Sequence, residues 1–127
     1  MFSFFKKKKH EQPQEPTPEE LEQMAVGDNI LAKMEPFDYL TNVSALITNH
    51  ANEMPLFHIY GHIHTCIKLG APAIVSTLAQ LAAYRLREYD DDPDIKRHIK
   101  EFEQLAMQSA IDALNYMAAN GKQLVYC

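Results

Sequence analysis

The chain of 127 residues is long enough for one compact domain with a short extension, and 46% of its residues are hydrophobic, which suffices for a core. Residues 17–127 contain eight Lys or Arg and fifteen Asp or Glu, a net charge of −7, which argues against direct binding of nucleic acid. No apolar run approaches the roughly 20 residues that span a bilayer. We therefore expect a cytoplasmic protein in which Cys66 and Cys127 remain reduced thiols.

Residues 1–16 differ in composition from the rest of the chain. They combine four consecutive lysines with a polar stretch that contains two prolines, and such a segment cannot bury a core. We expect residues 1–16 to form a disordered extension and residues 17–127 to form a single helical domain. Apolar rings followed by lysines could also make weak contact with the inner face of a membrane. The residues available for that contact are Phe2, Phe4, Phe5, Lys6, Lys7, Lys8 and Lys9.

The first two helices are indicated by their start signals. Thr17-Pro18-Glu19-Glu20 combines a helix cap, a proline at the first helical position and the glutamate of a capping box. Apolar residues then recur at helical spacing as far as Met34, although Gly27-Asp28-Asn29 weakens the middle of this helix. Pro36 begins a second helix, which we expect to end near His50.

Residues 55–69 can be interpreted in two ways. Helical spacing places Leu56, Ile59, Tyr60, Ile63 and Ile67 on one stripe, whereas alternating β-branched residues also fit a strand. We predict a helix, because Pro55 is a suitable start, Gly70 is a suitable end and the neighbouring segments are helical.

The last two helices have clear amphipathic patterns. Residues 72–89 form one, and the aspartates before Pro93 form a turn in which Asp92 caps the next helix. Residues 94–119 form the other, and its small residues would let a neighbouring helix approach closely; they are Ala106, Ser109, Ala110 and Ala113. The predicted fold is all-α, a compact antiparallel bundle of about five helices.

A concentration of histidines marks the helix predicted over residues 55–69. His58, His62 and Cys66 are spaced four residues apart and would form a ladder along one side of it. Imidazole and thiolate groups at this spacing can bind a transition metal such as zinc, provided that another element adds a ligand. The candidates for that ligand are Glu53, His50 and His98. The alternative is that the ladder only packs against neighbouring helices.

A second hypothesis concerns His64. The segment His64-Thr65-Cys66-Ile67-Lys68-Leu69-Gly70-Ala71, followed by an amphipathic hairpin, resembles the histidine phosphotransfer domains. Those domains are four-helix bundles in which an exposed histidine accepts a phosphoryl group from an aspartate of a response regulator. The resemblance covers about residues 55–115 and implies that His64 is the phosphoacceptor and Lys68 its charge partner.

No recognised nucleophile or cofactor motif is present elsewhere. The sequence contains no Gly-x-Ser-x-Gly elbow, phosphate-binding glycine loop or dinucleotide fingerprint, so no cofactor is predicted and an enzyme is the less favoured hypothesis. We expect a small, acidic interaction or regulatory protein, such as an adaptor, an inhibitor or an immunity-type protein. Its partner would be another protein or a second copy of the same chain.

Overall fold

The computed structural model describes residues 17–89 and 91–120, apart from the side chain of Asn120, and within them the protein is all-α without strands. Two single turns of 3-10 helix, Ala51–Glu53 and Arg87–Tyr89, follow the third and fifth α-helices. The predicted membrane contact of residues 1–10 lies outside the described part. Within it, no helix combines the length and the apolar character needed to cross a bilayer. The α-helices are α1 (Pro18–Met24), α2 (Val26–Leu31), α3 (Pro36–His50), α4 (Leu56–Leu69), α5 (Pro72–Leu86) and α6 (Pro93–Asn120).

The helix boundaries follow the predicted capping signals. The Glu20 amide donates to Thr17 Oγ1 over 3.1 Å and the Thr17 amide donates to Glu20 Oε1 over 3.0 Å, which completes the capping box. Asp92 Oδ1 accepts from the Asp94 amide over 2.9 Å at the start of α6. Gly70 ends α4 with φ +70°, a left-handed conformation that a glycine adopts without the penalty of a Cβ atom.

The prediction of one helix up to Met34 was wrong. The chain leaves helical geometry at Ala25, so that α1 and α2 are separate, and residues 17–89 and 91–120 contain six α-helices, in keeping with the predicted bundle of about five. The break is explained by tertiary packing, because both short helices lie against α4. Bending at Ala25 brings the main chain of Met24 against Gly61 and brings Gly27 against the Thr65 side chain.

The core lies between α3, α4, α5 and α6, and the hairpin of α5 and α6 is its most extensive contact. Three of the small residues predicted for close helix packing, Ala106, Ser109 and Ala113, are buried, whereas Ala110 is exposed. Ser76 Oγ of α5 donates to the Ala106 carbonyl oxygen over 2.8 Å, which shows how closely α5 approaches α6.

The central helix of the bundle is α4, which contacts α5 as well as α1 and α2. The prediction of helix over residues 55–69 is confirmed, but its predicted apolar stripe was too narrow. Ile59, Tyr60 and Ile63 are buried, and so are four further residues that the stripe did not include: Gly61, His62, Thr65 and Cys66. Ile67, which the stripe did include, is 44% exposed. The buried surface is wide because α4 is covered by other helices on more than one side.

Candidate functional site

The most polar part of the core surrounds His62. Its side chain is 1% exposed, and its Nδ1 atom is hydrogen-bonded to the hydroxyl of Tyr39 on α3 over 2.8 Å. Burial, with a smaller effect from the nearby His58, lowers the pKa of His62 to about 4. The ring is therefore neutral at neutral pH, and its hydrogen bond ties α3 to α4.

Cys66 lies one turn further along α4 and is completely buried as a free thiol. Burial raises the pKa of Cys66 to about 12. Since the thiolate is the form that attacks electrophiles and binds metals, this thiol is in its unreactive state at neutral pH. The position of Cys66 suits packing in the core rather than covalent chemistry.

The three members of the predicted ladder have different surroundings. His62 and Cys66 are buried, whereas His58 is half-buried and lines an open groove of about 520 Å³ together with residues of α1 and α2 such as Val26 and Ile30. Within residues 17–89 and 91–120, no group of three or more His, Cys, Asp or Glu residues could hold a metal ion.

The side chains considered as additional metal ligands have contacts of their own. His50 Nδ1 lies 2.6 Å from Glu53 Oε1, both on the surface at the end of α3. His98 is buried on α6 and its Nδ1 atom lies 3.2 Å from Glu101 Oε1. Both pairs are ion pairs whenever the imidazole is protonated, and each is formed within a short local segment.

The predicted phosphoacceptor, His64, is exposed on α4. Lys68, its predicted charge partner, is occupied by an ion pair, because its Nζ atom lies 3.0 Å from Asp28 Oδ1 on α2. Thr65 Oγ1 donates to the same carboxylate over 2.7 Å. Partial burial would raise the pKa of Asp28, but the hydrogen bonds from Thr65 and Lys68 outweigh it and hold the pKa below its usual value. A phosphoryl group on His64 would therefore share Lys68 with an ionised carboxylate.

Two glycines set the distance between α4 and the helices before it. A Cβ atom on Gly61 would lie 2.2 Å from the Met24 carbonyl oxygen, which is closer than real Cβ atoms approach. A Cβ atom on Gly27 would lie 2.5 Å from Thr65 Oγ1 and 2.7 Å from the Tyr39 hydroxyl. The close packing of α1 and α2 against α4 therefore depends on the absence of a side chain at both glycines.

We expect the Cys66 thiol to resist modification in the folded protein. In a Cys127→Ser variant, reaction with Ellman's reagent at pH 8 should be roughly a hundredfold slower than in the same variant unfolded with guanidinium, because burial suppresses the thiolate. The wild-type protein treated in parallel reports the reactivity of Cys127. Rapid, stoichiometric labelling of the folded variant would contradict the assignment of Cys66 to the core.

A surface that the sequence patterns did not single out runs along the second half of α6. Met107, Ile111 and Leu114 are 69%, 47% and 66% exposed, and Ala118 follows them at the same helical spacing. We call these four residues the outer face of α6. The other large exposed hydrophobic residues in the described part belong to several different elements, and single exposed residues of this kind are normal on protein surfaces. Met107, Ile111 and Leu114 differ from these in lying in one row on one helix.

Comparison of the chain with protein-family models, with curated proteins and with solved structures finds no match. The observations that bear on function are therefore the polar contacts of α4 and the exposure of the outer face of α6.

Proposed function

We propose that the protein is a small, non-enzymatic interaction or regulatory protein, of the adaptor, inhibitor or immunity type, which binds a protein through the outer face of α6. The observation that carries the proposal is the exposure of Met107, Ile111 and Leu114 in one row. Burial of apolar side chains against a partner contributes about 25 cal/mol of favourable free energy per Å² removed from water. This contribution is the main source of affinity in most protein association.

The charge on the helix supports the same surface. Residues 93–103 contain six charged residues, whereas residues 104–120 contain only Asp112. Depletion of charge together with exposed Met and aliphatic side chains is typical of the centre of a protein interface. The exposed surface of the first half of α6 is therefore charged, as is typical of a surface in contact with water, whereas that of the second half has the composition of an interface.

Catalysis and metal binding have less support from the side chains on α4. The side chains of His62 and Cys66, and that of Tyr39 on the neighbouring α3, are buried in the bundle. Burial keeps the His62 ring neutral and the Cys66 thiol protonated at neutral pH. The exposure of His64 is compatible with the phosphotransfer hypothesis, but the ion pair between Lys68 and Asp28 weighs against it.

The proposal is tested by comparing what two variants capture from the cell that naturally produces the protein. Leu114→Glu places a charge on the outer face of α6, and Lys96→Glu introduces the same side chain at an exposed position on the first half of the same helix. Quantitative mass spectrometry would count the proteins retained by each tagged bait, including untagged copies of the chain itself. We expect at least one protein to be lost about tenfold with Leu114→Glu and retained with Lys96→Glu.

Thermal unfolding of both variants controls for folding, and their melting temperatures should lie within a few degrees of the wild type. Identical capture by wild type and Leu114→Glu would show that the outer face of α6 is not a docking surface and would overturn the proposal.

A further inference from the structure

We infer that the occupant of the outer face of α6 is a second copy of this chain, so that the protein forms a symmetric dimer through paired α6 helices. The inference rests on the proposed function and specifies its partner. It is carried by the spacing of the exposed residues and by the distribution of charge around them.

The spacing matches a seam between two helices. Met107, Ile111, Leu114 and Ala118 are separated by four, three and four residues, which is the a and d pattern of a heptad repeat. Such a row forms the contact between two helices that pack side by side, either parallel or antiparallel. The row spans about 17 Å of α6 at 1.5 Å per residue. It therefore offers a short seam of about three helical turns.

The residues beside this row are uncharged. At the flanking heptad positions lie Gln108, Ala110, Asn115 and Met117, none of which would repel its counterpart in a second copy. The one charged residue of this half, Asp112, accepts a hydrogen bond from Gln108 Nε2 over 3.1 Å and occupies none of the four flanking positions.

The distribution of charge allows a second copy to approach at this surface. The whole chain carries −5, so two copies repel each other over most of their surfaces. The outer face of α6 and its flanks form a neutral area, where that repulsion is weak. A basic partner, by contrast, would find no row of carboxylates along this half of α6 with which to pair.

A helix row that meets its own copy forms a closed interface, since the same patch serves both chains about a twofold axis. Closure limits the assembly to two chains and leaves no apolar row exposed for further growth. The seam is short, so the dimer should dissociate on dilution rather than persist as an obligate assembly.

The experiment is sedimentation equilibrium of the purified full-length chain over a wide range of concentration, with wild type, Leu114→Glu, Met107→Glu and Lys96→Glu compared. We expect wild type and Lys96→Glu to show a monomer–dimer equilibrium of the same strength. Each of the two substitutions on the outer face should weaken dimerisation at least about tenfold, because the dimer would bury the new carboxylate in an apolar seam. The two outer-face variants act at separate positions, so poor folding of one leaves the other as a test.

The outcomes separate this inference from the proposed function. A wild-type protein that is monomeric at every concentration, or a dimer that Leu114→Glu and Met107→Glu leave intact, would overturn the inference. The wild-type protein could be monomeric and yet capture another protein that Leu114→Glu does not retain. In that case the proposed function stands, and only the identity of the partner is wrong. If Leu114→Glu weakens neither dimerisation nor the capture of any protein, both the inference and the proposed function are overturned.

Discussion

Gly61→Ala should lower the free energy of unfolding by about 3 kcal/mol, although alanine is the better helix former by about 1 kcal/mol. The reason is the approach of α1 to α4, since the added methyl would lie 2.2 Å from the Met24 carbonyl oxygen. A backbone atom cannot rotate away as a side chain does, so α1 must move off α4. Denaturant unfolding followed by circular dichroism measures the change.

Gly70→Ala is the matched control for this substitution. It adds the same atom at the residue that ends the same helix, but nothing lies within 4 Å of the new Cβ, and its cost is that of the left-handed backbone alone, about 1–2 kcal/mol. A Gly61→Ala protein as stable as the wild type would mean that α1 and α4 are not in close backbone contact.

The stability of the protein should fall by about 3 kcal/mol as the pH is lowered from 7 to 4, because of His62. In the folded protein burial lowers the pKa of His62 to about 4, whereas the ordinary value, 6.5, applies to the unfolded chain. Between these values the unfolded state takes up a proton that the folded state refuses. The contribution is complete above pH 6.5 and is lost progressively as the pH falls towards 4. Free energies of unfolding measured at half-unit intervals of pH would trace the loss.

Two glutamine variants assign this loss to one ring. His62→Gln removes the titrating group at the buried position, and His64→Gln removes an exposed histidine two residues further along the same helix. We expect His62→Gln to be less stable at pH 7 but nearly independent of pH between 7 and 4, and His64→Gln to behave as the wild type. Parallel pH profiles for wild type and His62→Gln would contradict the account.

Much of the fold could be predicted because its signals are local. The capping box at Thr17, the cap at Asp92 and the glycine at position 70 each act within a few residues, and the structure places a helix boundary at each. The periodic rows on α5 and α6 likewise indicated helices of nearly the observed length. The break at Ala25 was missed because its cause is contact with α4, which lies more than thirty residues further along the chain.

The candidate sites were harder to predict because sequence spacing does not show which sides of a helix are covered. His58, His62 and Cys66 share a side of α4, but the contact of His62 with Tyr39 and the burial of His62 and Cys66 come from other helices. On α6, one row of small residues at Ala106, Ser109 and Ala113 faces the core, and a second, apolar row is exposed. Both rows have helical spacing, so only the packed bundle distinguishes the core row from the outer face.

The central claim is that contact with another protein chain is made by α6 and not by α4. Its most direct test is photo-crosslinking in living cells, with a benzophenone amino acid introduced in turn at the exposed positions Ile111, Leu114, His64 and Lys96. We expect a discrete crosslinked band from positions 111 and 114 and none from positions 64 and 96. A band from position 64 without one from positions 111 and 114 would contradict the claim and would place the functional surface on α4.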